Sequence, residues 1–151
     1  MATQTQRRHL IVLLAMCLAL SAVLGVIAFR ITRRASPDVT LAEFWGLRGF
    51  SALGVFVGMI SGIVFGAIDN GGLFFGMDAL DPFLPKGELV RAGLGNTFRN
   101  VVGSVASVFV GIIVREATGF EGEYPIWSLT LGMLIGCLLG VYVPHYITKK
   151  Q

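Results

Sequence analysis

Glycine recurs at four-residue spacing in three apolar stretches of this chain: Gly54, Gly58, Gly62 and Gly66; then Gly103 and Gly111 with Ser107 between them; then Gly132, Gly136 and Gly140. Four residues advance a helix by about 400°, so each stripe winds slowly around one face. Without a side chain there, a second backbone can come close, and a partner following the winding crosses at about −40°. Four such glycines in an exposed helix would cost roughly 4 kcal/mol relative to alanine. Close packing must offset much of this, so the stripes predict helices pressed against other helices.

The solvent around those helices follows from charge. Residues 10–29 contain no charged side chain, and a bilayer core of about 30 Å needs roughly 20 helical residues. The chain is 54% hydrophobic and 14% charged, against about 45–50% and 25% in soluble domains, and its mean hydropathy is +0.75. These values imply an integral membrane protein. Arg7 and Arg8 precede the first stretch as in a signal peptide, but the stretch exceeds an h-region of about 7–15 residues. Arg30, Arg33 and Arg34 follow it where small cleavage-site residues are expected, so it reads as a retained helix.

We therefore expect an all-α, single-domain membrane four-helix bundle with glycine-stripe packing, its spans over about residues 10–29, 49–68, 96–115 and 126–146. Ser36-Pro37-Asp38 offers a helix start and Thr40 with Glu43 a capping box, which predict a short interfacial helix over about 37–47 carrying Trp45. Asp69-Asn70-Gly71-Gly72 reads as the turn ending the second span, and residues 69–94, with Pro82, Pro85, Asp78 and Asp81, as a membrane-adherent loop. Arg99 and Arg115 bracket residues 100–114, only about 22 Å of helix, so the third span is expected to be interior with its arginines snorkelling or shielded. Pro125, Trp127, Tyr142, Tyr146, Pro144 and Lys149-Lys150 mark the boundaries of the fourth. An even number of spans puts both termini on one side, and a small excess of Arg and Lys favours the cytoplasm.

Polar residues fall in phase with the small ones. Asp69 and Asn70 extend the face of Gly66; Asn96, Asn100, Gly103, Ser107 and Gly111 share one stripe, with Ser104 beside it. Polar and ionisable groups at membrane depth are costly and face protein or water. Asp69, Asn70, Asn96, Arg99, Asn100, Ser104 and Ser107 are thus candidates for a pore or polar interior, with Asp69 or Arg99 setting charge preference at its mouth. This points to a channel-like or transport subunit, self-assembled or within a larger membrane complex. The alternative is an architectural component of an organelle, bacterial membrane system or membrane-containing virus, without transport. The stripes themselves serve either packing within one subunit or contact between copies, and we expect at least one to be an oligomeric contact.

Other chemistries lack a pattern. His9 and His145 stand at membrane boundaries without a companion Cys or carboxylate motif, Cys17 and Cys137 read as small apolar residues, and Asp78 with Asp81 is a D-x-x-D spacing without companion motifs. No catalytic residues, metal or cofactor are expected, and the protein is expected not to be an enzyme. The net charge of +3 is distributed along membrane flanks rather than on a basic face, which argues for lipids and against nucleic acid as partners.

Overall fold

The structure, a computed structural model, describes residues 4–75, 83 and 87–148. These residues divide into two compact units, within Met1–Phe44 and Trp45–Gln151. Residues 76–82 and 84–86 of the expected loop, Asp78, Asp81, Pro82 and Pro85 among them, lie outside the described residues, together with Lys149 and Lys150.

In the first unit, α1 spans Gln4–Ala35, 32 residues, and so continues beyond the charge-free residues 10–29 at both ends. Arginine is a good helix former, and Arg33 and Arg34 in the last turn complement the helix dipole. The stop comes from Pro37, which disfavours helical geometry at the residue before it. Ser36 N–H still donates to the Thr32 carbonyl at 2.9 Å, and Val39 N–H to that of Ser36 at 3.2 Å, forming the turn. A single turn, α2 (Leu41–Phe44), stands where a helix over 37–47 was expected. Its capping box is complete: Glu43 Oε2 accepts from Thr40 N at 2.9 Å and Thr40 Oγ1 at 2.8 Å, and Thr40 Oγ1 accepts from Glu43 N at 3.3 Å. The Phe44 ring meets Phe29 edge-on at 5.4 Å.

The second unit begins with the reason α2 is short. Gly46 and Gly49 have φ of 66° and 72°, outside helical geometry. Gly46 is needed twice over, for its left-handed φ and because a Cβ there would meet Pro125 Cβ at 2.7 Å; its carbonyl accepts from Trp127 Nε1 at 3.0 Å. Ser51 then caps α3 (Ala52–Phe75), its Oγ accepting from Gly54 N at 2.9 Å. Among the described residues two further helices follow, α4 (Glu88–Thr118) and α5 (Ile126–Thr148). Gly119, at φ 63°, closes α4, and Phe120 N–H returns to the Arg115 carbonyl at 3.1 Å. The Arg115 guanidinium lies over the Phe120 and Tyr124 rings at 5.8 and 5.4 Å, holding the connection to α5.

Within the second unit the central helix is α3, which packs on both α4 and α5. This differs from the expectation that the third span is the interior one. With 31 residues α4 extends well past Arg99 at its N-terminal side, and most of its surface is exposed in the single chain. Arg99 therefore does not mark the end of a short span.

The buried positions of α5 are Ser128, Gly132, Gly136, Gly140 and Pro144, and those of α3 are Gly54, Val57, Gly58, Gly62 and Gly66. A Cβ at Gly62 would fall on Leu129 O and Met133 N, and one at Gly66 on Met133 O and Cys137 N. Reciprocally, a Cβ at Gly132 would fall on Met59 O, at Gly136 on Ile63 O, and at Gly140 on Ala67 O and Gly71 N. Each is backbone of the facing helix, which cannot turn aside as a side-chain tip can. Gly103 on α4 faces Phe65, and Gly111 faces Ser61, both on α3.

Candidate functional site

Instead of turning after Ile68, α3 runs through Asp69-Asn70-Gly71-Gly72 to Phe75. Tertiary contacts override the low helix propensity of this tetrapeptide. Asn70 Nδ2 donates to the Cys137 carbonyl of α5 at 3.2 Å, and Gly140 of α5 approaches Gly71. Gly72 lies under the stem of Arg99, whose Cδ and Cγ would be 2.9 and 3.0 Å from a Cβ there.

That glycine lets the Arg99 guanidinium reach back along α3. Nη1 donates to the Asp69 carbonyl at 2.7 Å and stands 3.8 Å from Asp69 Oδ1. On its own helix, Nε donates to the Gly95 carbonyl at 3.3 Å and Nη2 to Asn96 Oδ1 at 3.0 Å. The side chains are largely enclosed, at 11% exposure for Arg99 and 20% for Asp69. Asp69 Oδ1 is buried and accepts no hydrogen bond among the described residues. The cation is thus well solvated by backbone and amide oxygens, while one carboxylate oxygen relies on a longer electrostatic contact. An unsatisfied buried oxygen is uncommon and calls for a physical account.

The candidate residues separate into groups. Asp69, Asn96 and Arg99 come together between α3 and α4, and Asn70 turns from the same turn of α3 towards α5. Asn100 is half-buried one residue beyond Arg99. Farther along α4, Ser104 is exposed, and Ser107 Oγ donates to the Ser104 carbonyl at 2.9 Å, so that hydroxyl is satisfied by its own helix. Ser61 behaves likewise, donating to the Val57 carbonyl at 3.4 Å.

Several participants were not singled out from sequence. Gly72 is the bed for the Arg99 stem, although the double glycine had suggested a turn. Gly95 and Cys137 contribute carbonyls, and a backbone acceptor leaves no trace in residue type. Ser128, wholly buried against Gly58, donates to the Pro125 carbonyl at 2.7 Å and fills the start of the α3–α5 contact. Its sequence signal was its position four residues before Gly132, which continues that stripe.

Comparison with protein-family models, curated proteins and solved structures finds no match. The class rests on the chain itself. Among the described residues, four helical segments are long and apolar enough to cross a membrane: Ala15–Ala35, Ala52–Gly72, Leu89–Thr118 and Ile126–Thr148. They fit a small, all-helical, multi-pass integral membrane protein.

Proposed function

We propose that this protein is a channel-like or transport subunit in which Asp69 and Arg99 set the charge preference of a polar passage. The supporting observation is the buried, unaccepted Oδ1 of Asp69 within a membrane-crossing helix. A pair kept only for packing is expected to satisfy both carboxylate oxygens, because each orphaned polar atom is expensive away from water. An oxygen left open beside a guanidinium that already donates to three other oxygens is suited to a transient polar visitor.

One subunit does not complete such a passage. The small residues of α3 and α5 face each other within the chain, which leaves the outer face of α4, with exposed Val105, Val108 and Ile112, for a second copy. In this reading the protein is a homo-oligomer or a subunit of a larger membrane complex, is not an enzyme and uses no cofactor. Both termini share one side, with the cytoplasm favoured by the distribution of basic residues. Close glycine packing between α3 and α5 is the device that holds each subunit together.

A second reading has its own support. The hydrogen bonds from Arg99 to the Asp69 and Gly95 carbonyls and to Asn96 make it a clamp between α3 and α4, as a purely architectural membrane component would need. Reconstitution into liposomes separates the two. Transport predicts ion flux above empty vesicles that falls with Asp69→Asn and with Asn100→Leu. Flux equal to the empty control, or unchanged by both substitutions, leaves the architectural reading.

A further inference from the structure

The end of α1 carries a different kind of surface. Arg30, Arg33 and Arg34 stand at i, i+3 and i+4, the spacing that places side chains on one helix face with Cβ atoms about 5–6 Å apart. All three are exposed, and among the described residues no carboxylate forms an ion pair with any of them. The acids nearest in sequence are Asp38, beyond the Pro37 turn, and Glu43, whose Oε2 accepts both Thr40 donors in the capping box.

Depth selects the ligand. The charge-free residues 10–29 fill a hydrocarbon core of about 30 Å, so Arg30 begins the headgroup layer and Arg34 lies about 6 Å farther along the axis. Ile27 and Ile31, exposed on the adjoining turns, offer apolar surface to acyl chains beside the cationic face. Guanidinium groups match phosphate oxygens through paired N–H donors, and all three of these stand exposed with no ion pair among the described residues. We propose that the Arg30, Arg33 and Arg34 face binds the phosphate of an anionic glycerophospholipid and anchors α1 at that leaflet. This site is separate from the Asp69–Arg99 centre and stands whether or not the protein transports.

The test uses the full chain in neutral detergent, with equal amounts of phosphatidylglycerol and phosphatidylcholine of the same acyl length, and native mass spectrometry to count retained lipids. Phosphatidylglycerol should be enriched. Each arginine contributes about fivefold, so R30Q/R33Q/R34Q should lower retention on the order of a hundredfold, and R33Q alone by about fivefold. R30K/R33K/R34K should retain more than the glutamine variant and less than the native chain, since it keeps charge but loses the paired donors. Millimolar inorganic phosphate should leave the lipid bound. Equal retention of both lipids, native retention in R33Q and the triple glutamine variant, or full displacement by inorganic phosphate would each overturn the proposal. Helix content by circular dichroism checks the fold, and R33Q supplies the answer should the triple variant misfold.

Discussion

Arg99 is closer to the backbone of Asp69 than to its carboxylate: Nη1 lies 2.7 Å from the carbonyl oxygen and 3.8 Å from Oδ1. The short contact survives any substitution of the Asp69 side chain that leaves α3 in place. The two faces of Asp69 thus carry separable roles, one in joining helices and one in presenting charge.

Removing the cation should therefore be worse for stability than neutralising the anion. Arg99→Leu strands the buried Asp69 carboxylate and deletes the donors joining α3 to α4, for a loss of about 3–5 kcal/mol. Asp69→Asn keeps the carbonyl acceptor and should cost about 1 kcal/mol or less. Unfolding of the two purified variants in mixed micelles checks the order; equal losses would contradict it.

Close approach between α3 and α5 makes a sharp contrast between glycines. Gly62→Ala and Gly136→Ala each place a Cβ onto facing backbone and should destabilise the protein by about 1–3 kcal/mol or more. Gly93→Ala has open space around its added Cβ and should be neutral or stabilising by about 0.5–1 kcal/mol through helix propensity. Thermal unfolding followed by size-exclusion chromatography measures all three. If Gly62→Ala and Gly93→Ala behave alike, the packing account fails.

Much of this arrangement is legible in the sequence. Hydropathy located the membrane helices, and phase along them linked Asp69 with the small-residue face and set Asn96 on the stripe of Gly103, while the contact of Asn96 with Arg99 emerged only in the structure. The capping box at Thr40 and Glu43 followed from two residues three apart. What stayed hidden depended on tertiary contact: α3 continues through Asp69-Asn70-Gly71-Gly72 because Asn70 finds the Cys137 carbonyl and Gly72 receives Arg99. Local propensity gives such a tetrapeptide a turn. The central place of α3 was equally hidden, because the arginines bracketing residues 100–114 made α4 look short, whereas Arg99 carries its own oxygen shell inside a longer helix.

Asn70 offers a milder probe of the α3–α5 contact. Asn70→Ala removes the donor to the Cys137 carbonyl without adding bulk near Gly140, and the loss should be about 0.6–2 kcal/mol, the range for hydrogen bonds between membrane helices. Denaturant midpoints for the native chain and the variant provide the comparison. A stability unchanged or raised would show that this bond contributes nothing net.

The Gly46 turn should report through Trp127. Gly46→Ala combines an unfavourable left-handed φ with a collision at Pro125, so the Trp127 Nε1 bond to the Gly46 carbonyl is lost and the Phe50–Trp127 edge contact at 5.7 Å loosens. In a Trp45→Phe background, so that Trp127 emits alone, the emission maximum should shift to longer wavelength. An unchanged spectrum would contradict this anchoring of the turn.

The account turns on whether the open carboxylate oxygen of Asp69 works in transport rather than in holding helices. The direct measurement is ion flux into proteoliposomes by the native protein and by Asp69→Asn at equal reconstituted amounts, with unfolding stability measured on the same preparations. The account predicts that Asp69→Asn loses most of the flux while keeping stability to within about 1 kcal/mol. Native flux in the variant, or no flux from the native protein above empty vesicles, would contradict it.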